Sequence, residues 1–235
     1  MNNNKKIKII FFILPIGLIA SVFLVTYMFS FYLDPVLLSI PLMAAYYIYV
    51  WCSIDFYRRR VRGKDSLFKA DEFKRGYSGL SLWMYLWTVA YPLIIGTSIF
   101  IYLLPHIPWF WLIPGIFFAM INGPSEEIFW RLLMERIGTD AGLGKNTRLY
   151  YSSAVFSLWH FIFVVFLFPE KIIFHTLVSV HIITFIAGLL WMMVYQKTKN
   201  ILPDILSHAY LNFFYIWPWT VCSILGLGPI NDFFK

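Results

Sequence analysis

Charge is the scarce ingredient of this chain. Asp, Glu, Lys and Arg make up only 13% of its 235 residues, against 60% hydrophobic and 21% aromatic, and mean hydropathy is +0.70. That balance excludes disordered and strongly solvated classes and places the sequence among membrane proteins. Cysteine is almost missing. Cys52 and Cys222 are the only two, they lie in separate apolar segments expected toward opposite faces, and neither a disulfide framework nor thiol chemistry follows. Internal repeats and low-complexity tracts are absent, which removes the repeat symmetry typical of many transporters. A cleaved signal peptide is excluded on length. Lys5, Lys6 and Lys8 precede the first apolar run, but the run continues to about Leu33 without a small-x-small cleavage site, so it reads as a retained membrane helix.

What is present is apolar sequence in lengths that suit a bilayer. A spanning helix needs about 20 apolar residues. Runs bounded by charge, Pro or Gly give candidate spans at 8–32, 36–54, 79–104, 108–137, 149–168, 172–195 and 201–222. The expected fold is therefore an all-α polytopic membrane protein of about seven transmembrane helices, forming a single integral membrane domain over residues 1–235. The fourth span contains Asn122-Gly123-Pro124, which predicts a broken or kinked helix with Asn122 or Ser125 capping its second half. Ten Trp and fifteen Tyr suit aromatic belts at the two interfaces.

The formal net charge of +7 would suggest nucleic acid in a soluble protein. Here topology accounts for it, and no nucleic-acid partner is expected. With the N-terminus in the cytoplasm, the inside collects Lys5, Lys6, Lys8, the basic run from Arg58 to Arg75, Arg136, Lys145, Arg148, Lys197 and Lys199. The outside collects Lys171 and Lys235. That asymmetry follows the positive-inside rule. The polar connection 55–77 then reads as a cytoplasmic basic belt against anionic lipid.

A charged side chain at the centre of a span costs about 2.5–3.5 kcal/mol even on lenient insertion scales. Glu126, Glu127, Arg131, His160, His175, His181, Asp204 and His208 nevertheless fall inside the expected spans. Counted from the cytoplasmic ends at about 1.5 Å per residue, Glu126 lies roughly 15 Å deep, His160 roughly 18 Å and His208 roughly 12 Å. Two adjacent carboxylates and two imidazoles from three spans thus share one layer of the cytoplasmic half. Glu127 and Arg131 are four residues apart and predict an ion pair along one helix face, which leaves Glu126 about 100° round the helix. Phe156 and His160 repeat that spacing, as do His208 and Asn212. Asp204, one turn before His208, either orients its ring or starts the helix. His175 and His181 read as interhelical hydrogen-bonding groups.

Together EEIFWR (126–131), FSLWH (156–160) and HAYLN (208–212) spell E-E-x-x-x-R, F-x-x-x-H and H-x-x-x-N in order on three spans. This set resembles the CPBP family of intramembrane proteases, the CAAX protease and bacteriocin-processing (Abi) family, over residues 126–212 and a motif-bearing core of about 108–222. The resemblance implies an endopeptidase that hydrolyses a peptide bond in a membrane-associated or prenylated peptide, working within the lipid bilayer in a cavity toward the cytoplasm. It implies Glu126 as general base, His160 as a holder and activator of the water, His208 and Asn212 as oxyanion stabilisers, and Arg131 as the residue that fixes Glu127. Phe156 is expected as a wall of the cavity. A desolvated carboxylate suits a base near neutral pH, and donors aimed at an oxyanion are worth a few kcal/mol in a dry site.

A zinc set of Glu126, His160 and His208 also stands open, since two His and one Glu are catalytic zinc ligands. The HExxH spacing is absent and Asn212 suits an oxyanion better than a metal, so a metal-free glutamic mechanism without cofactor is favoured. Two other readings carry less. GYSG (76–79) matches the rhomboid pattern G-x-S-G, but Ser78 reads as a helix cap and the serine chemistry would leave both glutamates idle. Asp140, in GTDAG (138–142), reads as part of a polar turn. From other classes, an ion-coupled transporter fits the intramembrane charges and the interrupted span, and a non-catalytic immunity or scaffold membrane protein fits if Glu126 tolerates replacement by Gln.

Overall fold

A computed structural model describes residues 3–62, 71–74, 80–167 and 174–227. Among the described residues the chain is helical and contains no strand, as the apolar runs require: lipid cannot satisfy backbone groups, so each segment bonds internally. Among the described residues five helices are long and apolar enough to cross a membrane: Asn4–Ser30, Leu37–Val61, Leu82–His106, Lys145–Leu167 and Leu177–Thr198. Many of their large apolar side chains point outward, Ile13, Ile16, Leu24 and Ile101 among them. The all-α polytopic expectation holds. The helices are α1 (Asn3–Ser30), α2 (Pro35–Tyr57), α3 (Leu82–His106, with π-helical stretches inside it), α4 (Leu112–Glu127), α5 (Met134–Asp140), α6 (Lys145–Leu167), α7 (Phe174–Thr198), α8 (Leu202–Leu211) and α9 (Trp217–Leu225).

The expected fourth and seventh spans also depart from a plain apolar helix. Asn122-Gly123-Pro124 does not end α4. The helix runs through it to Glu127, and the departure from α geometry is a π-helical stretch, Ile128–Leu133, that leads into α5. Pro124 removes one donor and crowds the turn before it, and the wider π turn begins four residues later. Asn122 and Ser125 are therefore interior helix residues and not caps. The seventh span is likewise α8, a π stretch Asn212–Ile216, and α9. Wide π turns often sit at functional positions, and here they adjoin the motif residues Glu127 and Asn212.

The chain divides into two compact units, Met1–Lys69 with Ile128–Gln196, and Ala70–Glu127 with Lys197–Lys235. In the first, Gly17 brings α1 against the hydroxyl of Tyr49, which donates to Leu14 O at 2.9 Å. Tyr46 stacks on Trp159 with ring centroids 4.2 Å apart and receives the indole N–H of Trp130 at 3.1 Å. In the second, Leu103, Ile107, Val221 and Cys222 form an apolar cluster at the α3–α9 contact, and Trp217 donates to Trp111 O at 2.7 Å. The two cysteines are free, Cys52 exposed and Cys222 buried.

Of the connection 55–77, Arg58–Arg62 extends α2 as a π turn, and Asp71–Lys74 is one helical turn whose Glu72 O accepts from Ile201 N at 2.9 Å. Residues 63–70 and 75–77 of that loop, Ser78, and the two outside charges Lys171 and Lys235 lie outside the described residues, as does the side chain of His175.

Candidate active site

The site builds up from a glycine. On α4 the buried positions Gly115, Ala119, Asn122, Gly123 and Glu126 recur at helical spacing, opposite the exposed Phe117 and Met120. At Gly123 the missing side chain matters. A Cβ there would lie 2.8 Å from Ala209 N and 3.0 Å from Ala209 Cα, so α4 and α8 touch backbone to backbone. Such close approach by a small residue is how membrane helices pack without a hydrophobic drive between them. One turn beyond Gly123 stands Glu127, and next to Ala209 stands His208, so the contact delivers the carboxylates to the imidazole.

Glu127 Oε1 is 2.7 Å from His208 Nδ1, and Glu126 Oε2 is 3.3 Å from His208 Nε2. Relative exposure is 3% for Glu126, 0% for Glu127 and 3% for His208. All three have left water, which makes their mutual contacts matter. The shorter contact has the length of a charge-assisted hydrogen bond and the longer one does not. At 2.7 Å the Nδ1 nitrogen cannot face the carboxylate lone pair to lone pair, so a proton lies in that gap.

Asn212 follows His208 by one turn and opens the π stretch. It is fully buried, and neither its amide nitrogen nor its amide oxygen has a hydrogen-bond partner among the described residues. A buried amide costs about 1–3 kcal/mol when left unpaired, so it calls for an explanation. Asp204 is fully buried in the first turn of α8, where a carboxylate meets the positive end of the helix. At His208 Nδ1 the neighbouring carboxylate is that of Glu127.

The other motif residues belong to the first unit. On α6, His160 Nδ1 lies 2.9 Å from Phe156 O. A carbonyl only accepts, so Nδ1 donates, and the neutral ring presents Nε2 as its acceptor. The Phe156 ring meets that imidazole edge to face, 4.6 Å between centroids. Arg131 is buried with its guanidinium 4.3 Å over the Phe156 ring and 5.4 Å over Trp191. Aromatic faces attract such a cation where water is absent. Gly188 of α7 allows the approach to Phe156, whose Cδ1 would be 3.1 Å from a Cβ there. His181 packs its ring edge against Phe161, and its carbonyl accepts from Ser157 Oγ at 2.8 Å.

The structure thus gathers Glu126, Glu127 and His208 with Asn212 one turn on, and separately Arg131, Phe156 and His160. Sequence reasoning missed a further buried polar group in the first unit. Glu135 accepts from Arg148 at 2.9 and 3.2 Å and from Gln196 at 2.9 Å. Asp140, read as part of a loop, is the last residue of α5 and accepts from the Tyr57 hydroxyl at 2.6 Å. Among the described residues no three His, Cys, Asp or Glu are grouped as a metal set.

Comparison with known families finds a match over the motif-bearing segment. Residues 107–214 match the family described as type II CAAX prenyl endopeptidase Rce1-like. That segment, just under half of the chain, is similar to this family. It contains E-E-x-x-x-R, F-x-x-x-H and H-x-x-x-N in full, and the CPBP-type reading of those motifs agrees with it. No curated protein and no solved structure matches the chain. The apolar helices point to an integral membrane protein, one segment of which is similar to type II CAAX prenyl endopeptidases.

Proposed function

We propose that the protein is an intramembrane endopeptidase that cleaves a membrane-associated or prenylated peptide with a water activated by Glu126. The observation that carries this reading is the buried Glu126–His208–Glu127 arrangement within the segment that matches the Rce1-like family. Glu126 takes a proton from water as the water oxygen bonds to the scissile carbonyl carbon. His160 holds that water. His208 Nε2 and the unpartnered Asn212 amide donate to the developing oxyanion, a role worth about 2.7–4 kcal/mol for one donor. The C–N bond then breaks, and the proton on Glu126 passes to the leaving amine. Arg131 balances the charge of Glu127, Phe156 walls the site, and Asp204 anchors the start of α8. The Lys and Arg asymmetry of the sequence supports a cytoplasmic N-terminus and a site in the cytoplasmic half.

One observation favours a second reading. Zinc bonds of about 2.0–2.1 Å in tetrahedral geometry set neighbouring donor atoms about 3.3 Å apart, and the Glu126 Oε2–His208 Nε2 separation is 3.3 Å. Glu127 on Nδ1 is the kind of carboxylate that stands behind a zinc-bound imidazole. In that reading Glu126, His208 and His160 would hold the ion, and it would supply Lewis-acid polarisation of the carbonyl and a more acidic water.

A panel of fluorogenic prenylated peptides decides between them, with purified wild type and Glu126→Gln each assayed with and without a zinc chelator. Activity lost in Glu126→Gln and retained with chelator is expected. Loss with chelator in the wild type selects zinc. Equal cleavage by wild type and Glu126→Gln would sink the role of Glu126, and tolerance of that change is what a scaffold would show.

A further inference from the structure

The roles above give Glu127 nothing beyond a charge to be balanced, yet it makes the shortest contact of the group. Its Oε1 is 2.7 Å from His208 Nδ1, against 3.3 Å between Glu126 and Nε2, and its exposure is 0%. An imidazole has two orientations half a turn apart about Cβ–Cγ. Only one of them points Nδ1 at Glu127 and leaves Nε2 at Glu126; the other puts ring carbons at both places.

We infer that Glu127 is the positioning residue of His208: it accepts the Nδ1 proton, fixes the rotation of the ring and so aims Nε2 at Glu126 and the reacting carbonyl. This rests on the peptidase reading for its consequence in rate, though not for its geometry. Glu127 itself never touches substrate. It divides the adjacent carboxylates by task, Glu126 for proton transfer and Glu127 for alignment, and the division follows from where α8 crosses α4. Ionised Glu127 can only accept, so it excludes the ring state with a bare Nδ1. The same service by an outlying carboxylate is worth about 10–100-fold in other sites that align an imidazole.

The test uses the full chain in detergent micelles, 15N-labelled at histidine, with the His208 nitrogens assigned by their absence in His208→Gln. Wild type is expected to show a protonated-type Nδ1. Glu127→Leu, which keeps volume and removes the acceptor, is expected to lose that single state. It is also expected to lower kcat on a fluorogenic prenylated peptide about 10–100-fold, with KM nearly unchanged. Glu127→Gln retains a carbonyl acceptor and is expected to retain the Nδ1 signal and more of kcat than Glu127→Leu. An unprotonated Nδ1 in wild type overturns the inference. So does a Glu127→Leu protein with unchanged Nδ1 signal and unchanged kcat. Should wild type cleave none of the peptides, the peptidase reading fails while the nitrogen signals still decide what Glu127 does, and those of wild type do so even if Glu127→Leu does not fold.

Discussion

Replacing Gly123 with Ala adds one methyl group, and its effect separates stability from catalysis. The new Cβ would stand 2.8 Å from Ala209 N and 3.0 Å from both Ala209 Cα and Cβ, where ordinary contact begins at 3.4 Å. Backbone cannot rotate aside, so α4 and α8 must part by about 0.6 Å at this level. Carried one turn along the helix, the shift stretches the 2.7 Å Glu127–His208 contact beyond charge-assisted hydrogen-bond length and opens the 3.3 Å gap to Glu126 further. Overpacking of this kind costs about 1–3 kcal/mol, and Ala in place of Gly within a helix returns about 1 kcal/mol. The net loss of about 0–2 kcal/mol amounts to a fall in Tm of about 8 °C at most for a chain of this size. Activity is expected to fall much further, because a misplacement near 1 Å costs about 100-fold. Thermal unfolding in detergent and cleavage of a fluorogenic prenylated peptide read the two effects side by side. Gly144→Ala, whose Cβ would meet only Thr147 Oγ1 at 4.0 Å, is the control that should change neither. Ala209→Gly added to Gly123→Ala should not rescue, since the backbone nitrogen and Cα remain in the way. Full activity in Gly123→Ala, or full rescue by Ala209→Gly, would refute the view that backbone contact sets the site.

Two further outcomes follow from buried polar groups. Asn212→Ala removes an amide with no partner among the described residues, so stability should hold or rise slightly while kcat drops about 100–1,000-fold with little change in KM, as for a lost oxyanion donor; parallel loss of folding and activity would assign the amide to structure. Glu135→Ala strips Arg148 and Gln196 of a shared acceptor and should destabilise the first unit by about 3–5 kcal/mol, the cost of leaving one half of a buried ion pair, visible in denaturation followed by Trp fluorescence.

The helical class was legible from apolar run lengths, and the candidate motif residues were picked out by four-residue spacings, because both are properties of one helix at a time. Asn122-Gly123-Pro124 shows where that reasoning stops. Read along the chain, Gly and Pro are punctuation and predict a break. The helix instead passes through, and the glycine is used sideways, against Ala209, a contact no local pattern announces. Glu127 repeats the lesson. Its spacing to Arg131 is visible in sequence, whereas its bond to His208 spans 81 residues and depends on how α4 crosses α8. The group of Glu135, Arg148 and Gln196 stayed hidden for the same reason: their separations of 13 and 61 residues have no periodicity to detect. In this chain the identities of the chemical groups were local information, and their partners were not.

The penalty of two carboxylates in an apolar chain also finds its physical answer in those partners. A desolvated ion costs several kcal/mol, and mutual attraction offsets it only with good geometry and satisfied hydrogen bonds. Glu126 and Glu127 meet opposite nitrogens of one imidazole, so a single histidine partners both. Arg131 lies over aromatic rings, which suit a weakly hydrated guanidinium better than they would an ammonium. Both arrangements hold charge where water is scarce while leaving some polar capacity unused, at Asn212 above all. A purely structural solution to burying charge would close every such bond. The polar segments 112–140 and 202–225 are also those not apolar enough to stand as plain spans, and they carry both π turns next to the motif. On these two segments, departures in composition, helix geometry and hydrogen bonding occur together, the pattern expected of a site where local rules are set aside.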